Sequence, residues 1–215
     1  MNRTIKIIIA AAIIIIGAMD AMATEEALYK VVKTSGSFEI RDYASNLLAE
    51  TIVDGDLEGA GSKAFRTLFR YISGNNRPRS TVAVTSPASK EAQGEKIPMT
   101  APVLQHGVQE RWVVSFTMPA TSTLQTLPDP DDPKITLRQV PARRMASVRY
   151  SGLWSEKSYL QHKRELESWV HKMGFTISGA PVWARYNAPF TPWFLRRNEI
   201  LLPIAAGDDT KVQSK

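Results

Sequence analysis

Cysteine is absent from the 215-residue chain. That absence excludes disulfides, thiolate metal sites, thioether attachment of a cofactor and a cysteine nucleophile, so stability must come from packing. Histidine is scarce: His106, His162 and His171 are the only three. None falls in a His-Glu-x-x-His or comparable cluster, and a structural metal site is not expected. No catalytic constellation is legible. Ser151 beside Gly152 lacks the surroundings of a nucleophile elbow, and Glu165 and Glu167 do not face each other on a helix. The chain therefore does not read as an enzyme. Basic stripes are missing too. The net charge is +6, but Arg77/Arg79, Arg143/Arg144 and Arg196/Arg197 are small, separate clusters. Nucleic acid is not an expected partner, whereas acidic small ligands or an anionic membrane surface fit the charge.

The chain also lacks an apolar run of the ~20 residues that a bilayer span needs. Its longest run, Ile7 to Met19, follows Arg3 and Lys6 and precedes Ala21-Met22-Ala23. A basic start, a short apolar stretch and a small-x-small site make an export signal over residues 1–23. The expected location is periplasmic or secreted, with an uncleaved N-terminal anchor as the alternative. Residues from Thr24 onward suffice for one sizeable domain or two fused small halves.

Two halves are visible, each reading strand, helix, strand. In the first, about 24–118, strands are expected at Leu28–Val32, Phe38–Tyr43, Leu47–Val53, Val82–Thr85 and Arg111–Met118. A helix is expected from Leu57 to Ser73, because Leu57, Gly61, Phe65, Leu68 and Ile72 recur at helical spacing, with Phe69 widening the stripe. Gly74 stops it. Residues 119–133 hold four prolines and several aspartates and read as a linker. In the second half, about 134–204, strands are expected at Ile135–Val140, Arg144–Tyr150, Val182–Tyr186 and Glu199–Ile204. Its helix is capped by Ser155 and ends near Met173, with Tyr159, Leu166, Trp169, Val170 and Met173 buried. Ala49-Glu-Thr-Ile-Val leads into the first helix as Ala146-Ser-Val-Arg-Tyr leads into the second. An antiparallel sheet with two helices, an α+β fold, follows, and a cleft is expected where the two units face each other. Residues 205–215 read as a flexible tail.

Gly59-Ala-Gly61-Ser-Lys-Ala64 matches a dinucleotide-binding pattern. No parallel strand with an acidic residue follows at the required distance, so the glycines read as permitting close helix packing. Two other segments are more informative. Tyr186 to Ile200 carries Phe190, Trp193, Phe194 and Leu195 among Pro189 and Pro192, then Arg196 and Arg197. The prolines exclude helix and central strand. This loop either packs on a core or offers an apolar platform beside positive charge. Lys96-Ile-Pro-Met-Thr-Ala-Pro-Val103 imposes a rigid extended path. Its Met99 suits either contact with an aromatic ring or gap filling in a core.

Phe38-Glu-Ile-Arg-Asp-Tyr43, Lys96 to Val103, and Tyr186-Asn-Ala-Pro with Arg-Arg-Asn-Glu-Ile200 together resemble the motifs of the SOUL haem-binding family. The resemblance runs from about Phe38 to Ile204. It implies a distorted antiparallel β-barrel from two similar halves, flanked by two α-helices. It also implies noncovalent, reversible binding of haem or another tetrapyrrole in a shallow apolar cleft beside the first helix, with basic residues at the propionates. Arg70 matches a basic position of that helix and Phe65 an apolar one. Ser62 and Thr191 stand where some members carry basic residues, and Lys63 and Arg66 offer compensation. Asp42 stands where some members carry a histidine proposed as an iron ligand. His106, expected in a loop, is a weak axial candidate. The expected ligand face comprises Lys63, Phe65, Arg66, Arg70, Met99, Phe190, Trp193 and Phe194. Arg197, Asn198 and Glu199 read as structural. The alternative function is an envelope protein whose aromatic and basic loop docks on a membrane or a protein partner.

Overall fold

A computed structural model describes residues 25–79 and 94–205. The export signal, the strand expected at Val82–Thr85 and the tail beyond Ala205 lie outside these residues. The first half gives strands β1 (Tyr29–Ser35), β2 (Phe38–Tyr43) and β3 (Asn46–Val53), helix α1 (Leu57–Ile72), and strands β4 (Asn76–Arg77), β5 (Val103–Val108) and β6 (Arg111–Thr117). The second gives β7 (Asp129–Pro130), β8 (Ile135–Val140), β9 (Arg143–Tyr150), α2 (Glu156–Lys172), β10 (Val182–Arg185), a 3-10 turn (Trp193–Leu195) and β11 (Asn198–Pro203).

Nine strands form one strongly curled antiparallel sheet, a half-barrel flanked by two helices, in the order β1-β2-β9-β11-β10-β5-β6-β3-β8. β4 and β7 make a separate two-stranded pair. The long sheet order, β1 aside, is a palindrome of the two halves: exchanging β2 for β8, β3 for β9, β5 for β10 and β6 for β11 reverses it. The bounds agree as well. β2 and β3, 38–43 and 46–53, have the same lengths and the same two-residue link as β8 and β9, 135–140 and 143–150. The weak internal similarity is thus a structural duplication, and its pseudo-twofold axis passes between the paired strands β5 and β10.

β5 was not expected, and His106, expected in a loop, lies within it. His106 pairs with Val113 of β6 inside β5. A histidine and a glycine behind Pro102 obscure the strand pattern, yet β5 is hydrogen-bonded on both sides, to β6 and β10. Its residues alternate between faces as a strand demands, so Val103 and Gln105 share one face and Leu104 and His106 the other.

Both helices lie on one face of the sheet. Asp56 caps α1 by accepting from the Gly59 amide at 2.5 Å, and Ser155 caps α2 through Ser158 N. Leu68, Tyr71 and Ala64 of α1 pack on Ala49, Val114 and Phe116. Tyr159, Leu166 and Val170 of α2 pack on Ile40, Val148, Trp183 and Ile200. Phe65 is only partly buried and Phe69 is 47% exposed, so the α1 stripe is narrower than its apolar residues suggest. Between the halves, Leu127 is buried under α1, and the Tyr71 hydroxyl donates to Pro128 O at 2.9 Å.

The opposite face holds Leu48, Leu104, Met145 and Leu201 together with a buried ion cluster. Glu199, 0% exposed, accepts from Arg41 Nη1 at 2.6 Å, Tyr186 Oη at 2.9 Å and Arg197 Nε at 2.9 Å. Arg197 also donates to Glu26 at 2.8 Å and Arg41 to Glu39 at 2.6 Å. Burial alone would raise the Glu199 pKa, but hydrogen bonding and attraction from Arg41, with Arg197 and Tyr186, hold it below its ordinary 4.5. Because the folded-state value is depressed, Glu199 contributes stability that is present above about pH 4.5 and is lost as pH falls through that lower value. Glu199→Ala removes the buried acid that Arg41 and Arg197 share and leaves each only its outer partner, Glu39 or Glu26; it is expected to destabilise the fold by about 3 kcal/mol, read from urea unfolding at pH 7. The variant's loss of stability below pH 4.5 is expected to be shallower than the parent's, since one depressed carboxylate is gone.

Candidate functional site

A cleft of about 570 Å³ opens on the helix-bearing face at the pseudo-twofold axis, within the ~300–1,000 Å³ usual for small-molecule sites. One wall is α1, through Gly61, Ser62 and Phe65; a second is Met99 to Ala101 with Val103; the third is Trp154 and the segment Tyr186 to Phe190. Arg185 lies at the floor, on β10.

Each wall is positioned by local chemistry. The Met99 segment is pinned at both ends: Ile97 N donates to Ile72 O at 2.8 Å, and Ala101 N to Glu25 O at 2.8 Å. Ile97 and Ala101 are buried, which leaves Met99 40% exposed at the mouth. Phe65 meets Phe116 edge to face at 5.3 Å and stacks on Phe69 at 5.7 Å. Trp154 is set by its indole N–H, which donates to Asn198 Oδ1 at 2.8 Å. Tyr186 is fixed by its bond to Glu199 and by the Arg197 guanidinium, 3.7 Å from its ring centroid. The ion cluster therefore braces the cleft from behind.

Arg185 is the most unusual group in the site. It is 9% exposed and forms no ion pair with any carboxylate among the described residues. Its Nη2 donates to Gln105 Oε1 at 2.7 Å, and its guanidinium carbon lies 4.8 Å from the Trp183 ring centroid and 5.3 Å from that of Trp154. Gln105, 0% exposed, in turn donates to Leu57 O at the start of α1. Burial lowers the Arg185 pKa to about 10, so the group stays cationic at neutral pH. Two aromatic faces and one amide oxygen offset part of the desolvation, while the missing acid leaves a positive charge turned to an apolar cleft. Room for it comes from Gly61, where a Cβ would stand 2.3 Å from Arg185 Nη2. Of the two glycines of the dinucleotide-like pattern, Gly61 serves close packing, against a cation, whereas a Cβ at Gly59 would meet only the capping Asp56 side chain.

The structure brings Phe65, Met99 and Phe190 together in the lining. It does not bring Lys63, Arg66 or Arg70 into it. At about 100° per residue, Lys63 and Arg70 project roughly 160° and 140° around α1 from Phe65. Arg66 stands one turn beyond Ser62 on α1 and is exposed. Trp193 and Phe194 lie outside the lining on the exposed 3-10 turn. His106 faces the opposite side of the sheet from Val103 and Gln105, and burial lowers its pKa. None of the three histidines lines the cleft. Asp42 is bound by Arg144 through two bonds of 2.7 and 2.9 Å, away from the cleft. Sequence reasoning missed Arg185, Gln105 and Trp154. The available signal was the i, i+2 spacing of Trp183 and Arg185, which puts an arginine on the same strand face as a core tryptophan.

Among solved structures, the C-terminal domain of EcmrR is similar at 11% identity and a TM-score of 0.51, covering 83% of this chain and 98% of that one. Two structures of a hydrolase from Listeria innocua, at 13% and 12% identity, give TM-scores of 0.53 and 0.54, each covering 81% of this chain and 94% of that one. At these identities the likeness is one of fold. No curated protein matches the chain. The sequence profile described as "SOUL heme-binding protein" matches residues 24–203. With that match spanning the whole curled sheet, both helices and the cleft between them, the chain belongs to the SOUL haem-binding protein family.

Proposed function

We propose that the cleft binds a tetrapyrrole, haem or a metal-free porphyrin, noncovalently and reversibly, and that the chain does so after export. The observation that carries this reading is Arg185: a buried cation without a carboxylate partner, at the floor of a cleft walled by Phe65, Met99, Val103, Trp154 and Phe190. These residues fit the group. An apolar macrocycle with acidic edges supplies the two things the site lacks, a filling for the walls and an anion for the floor. The ring would rest between Phe65 and Phe190 with Met99 at its edge, where burial contributes roughly 25 cal/mol per Å². A propionate would reach Arg185, a charge-assisted contact of about 1.5–3 kcal/mol. Arg66, exposed on α1 one turn beyond the lining residue Ser62, is the candidate partner for a second carboxylate.

Arg185→Leu is expected to weaken haemin binding about 10- to 100-fold with a urea stability within about 1–3 kcal/mol of the parent, since relief of a buried cation without an acid is set against the Gln105 Oε1 left unbonded. Arg70→Ala in the same titration tests the basic position on α1 that the family resemblance implies. A loss at Arg185 with none at Arg70 puts the carboxylate at the floor, and the reverse pattern puts it along the helix.

Met99 is the lone sulfur in the lining, and no histidine reaches it, so the ring and its carboxylates should dominate affinity. Haemin and metal-free protoporphyrin are therefore expected to bind within about tenfold of each other, close to 1.4 kcal/mol, in absorbance titrations. A haemin preference of several hundredfold, with a low-spin spectrum, would instead show strong iron ligation.

A further inference from the structure

Five large apolar side chains stand out on two adjacent loops. They are Leu153, 61% exposed, after β9, and Phe190 at 89%, Trp193 at 56%, Phe194 at 58% and Leu195 at 65% before β11. The loops are tied together, since Gly152 N donates to Trp193 O at 3.1 Å and Asn198 Nδ2 to Gly152 O at 3.2 Å. Their shape is fixed from within. Arg196 donates to Thr191 O at 2.8 Å and Pro189 O at 2.7 Å, and its guanidinium lies 4.3 Å from the Trp154 ring centroid. Trp193 and Phe194 meet edge to face at 5.6 Å. An internally bonded loop that still directs its apolar side chains outward has the character of an interaction surface.

We propose that this ridge seats the protein on a lipid bilayer bearing anionic headgroups, with the cleft mouth beside the lipid. Three observations favour lipid. The side chains project far into solvent, Phe190 most of all, as suits insertion into a fluid phase. Residues 143–155 and 184–198 contain no Asp or Glu; Arg144 and Arg197 are held by Asp42 and by Glu199 with Glu26, and Arg185 lies in the cleft, so the cations beside the ridge are Arg149 and Arg196, the latter bonded only to carbonyls of its own loop. Tryptophan and phenylalanine followed by arginine match the apolar, interfacial and headgroup layers in order. Phe190 belongs to both ridge and cleft, so the cleft opens onto the apolar surface. A lipophilic ligand could then pass between bilayer and cleft, a step that rests on the tetrapyrrole reading, whereas docking rests on the ridge.

The test uses the chain from Thr24, which contains every described element, so that the apolar run 7–19 cannot itself carry vesicles. Flotation is measured with phosphatidylglycerol–phosphatidylcholine vesicles and with neutral phosphatidylcholine vesicles. The parent is expected to float with the anionic vesicles, more weakly with neutral ones. A triple variant, Trp193→Ala, Phe194→Ala and Leu195→Ala, is expected to partition at least about a hundredfold less. Its haemin affinity in solution should be unchanged, since these three residues lie outside the cleft lining. Equal partitioning of parent and variant overturns the proposal, as does a parent that floats with neither vesicle. Self-association lost in the variant, without flotation of the parent, assigns the ridge to a second copy and also overturns it. A flotation difference without haemin binding in solution supports the docking and removes the tetrapyrrole reading.

Discussion

Glu199 has no access to water, and three donors from separate parts of the chain converge on it. Arg41 brings β2, Tyr186 brings the end of β10, and Arg197 brings the aromatic loop; Arg197 then reaches Glu26 in the N-terminal segment. A buried charge of this kind tolerates little displacement of any partner, because each lost contact leaves an ion unpaired in a low dielectric. The sheet order, the rear wall of the cleft and the base of the exposed loop are held in one arrangement by this carboxylate.

The cleft shows the complementary case, a buried cation whose acid is missing. Glu199 with its arginines and Arg185 with its aromatic rings lie on opposite faces of the curled sheet. One face satisfies its charges internally, and the other leaves one charge turned to the cavity. The geometry supports both through backbone choices: a strand register that alternates Arg185 and Tyr186 between faces, and a glycine on α1 that lets the guanidinium approach. Aromatic packing of Trp154 and Trp183 around Arg185 keeps the charge in place without neutralising it.

Much of this was legible in the sequence. Helical spacing placed α1 and α2, the apolar runs placed most strands, and the parallel between Ala49-Glu-Thr-Ile-Val and Ala146-Ser-Val-Arg-Tyr pointed to the duplication. Other features were hidden for physical reasons. β5 contains His106 and Gly107, which dilute its strand character, and only pairing on both sides makes it a strand. Phe65, expected both in the helix stripe and on the ligand face, lies at the stripe's margin and lines the cleft, whereas Phe69, read as widening the stripe because it is aromatic at helical spacing, is 47% exposed. The basic residues of α1 stood out by composition, but rotation about the helix axis turns Lys63 and Arg70 away. Arg185 did not stand out, since one arginine in an apolar strand gives no hint of whether an acid lies opposite.

The palindromic strand order bears on how the chain reaches this state. β2 does not pair with its neighbour β3 across their two-residue link, nor does β8 with β9; the first half gives β2 to β9 of the second, which gives β8 to β3 of the first. Neither half can complete its own sheet, so early collapse of one half cannot yield a finished module. Contacts such as Leu48 with Arg138 close loops of about ninety residues before the sheet rewards them, an entropic burden that slows folding. The reciprocal gift of strands makes the two halves structurally inseparable, and the cleft, lined by Gly61 to Val103 of one half and Trp154 to Phe190 of the other, needs both of them in place.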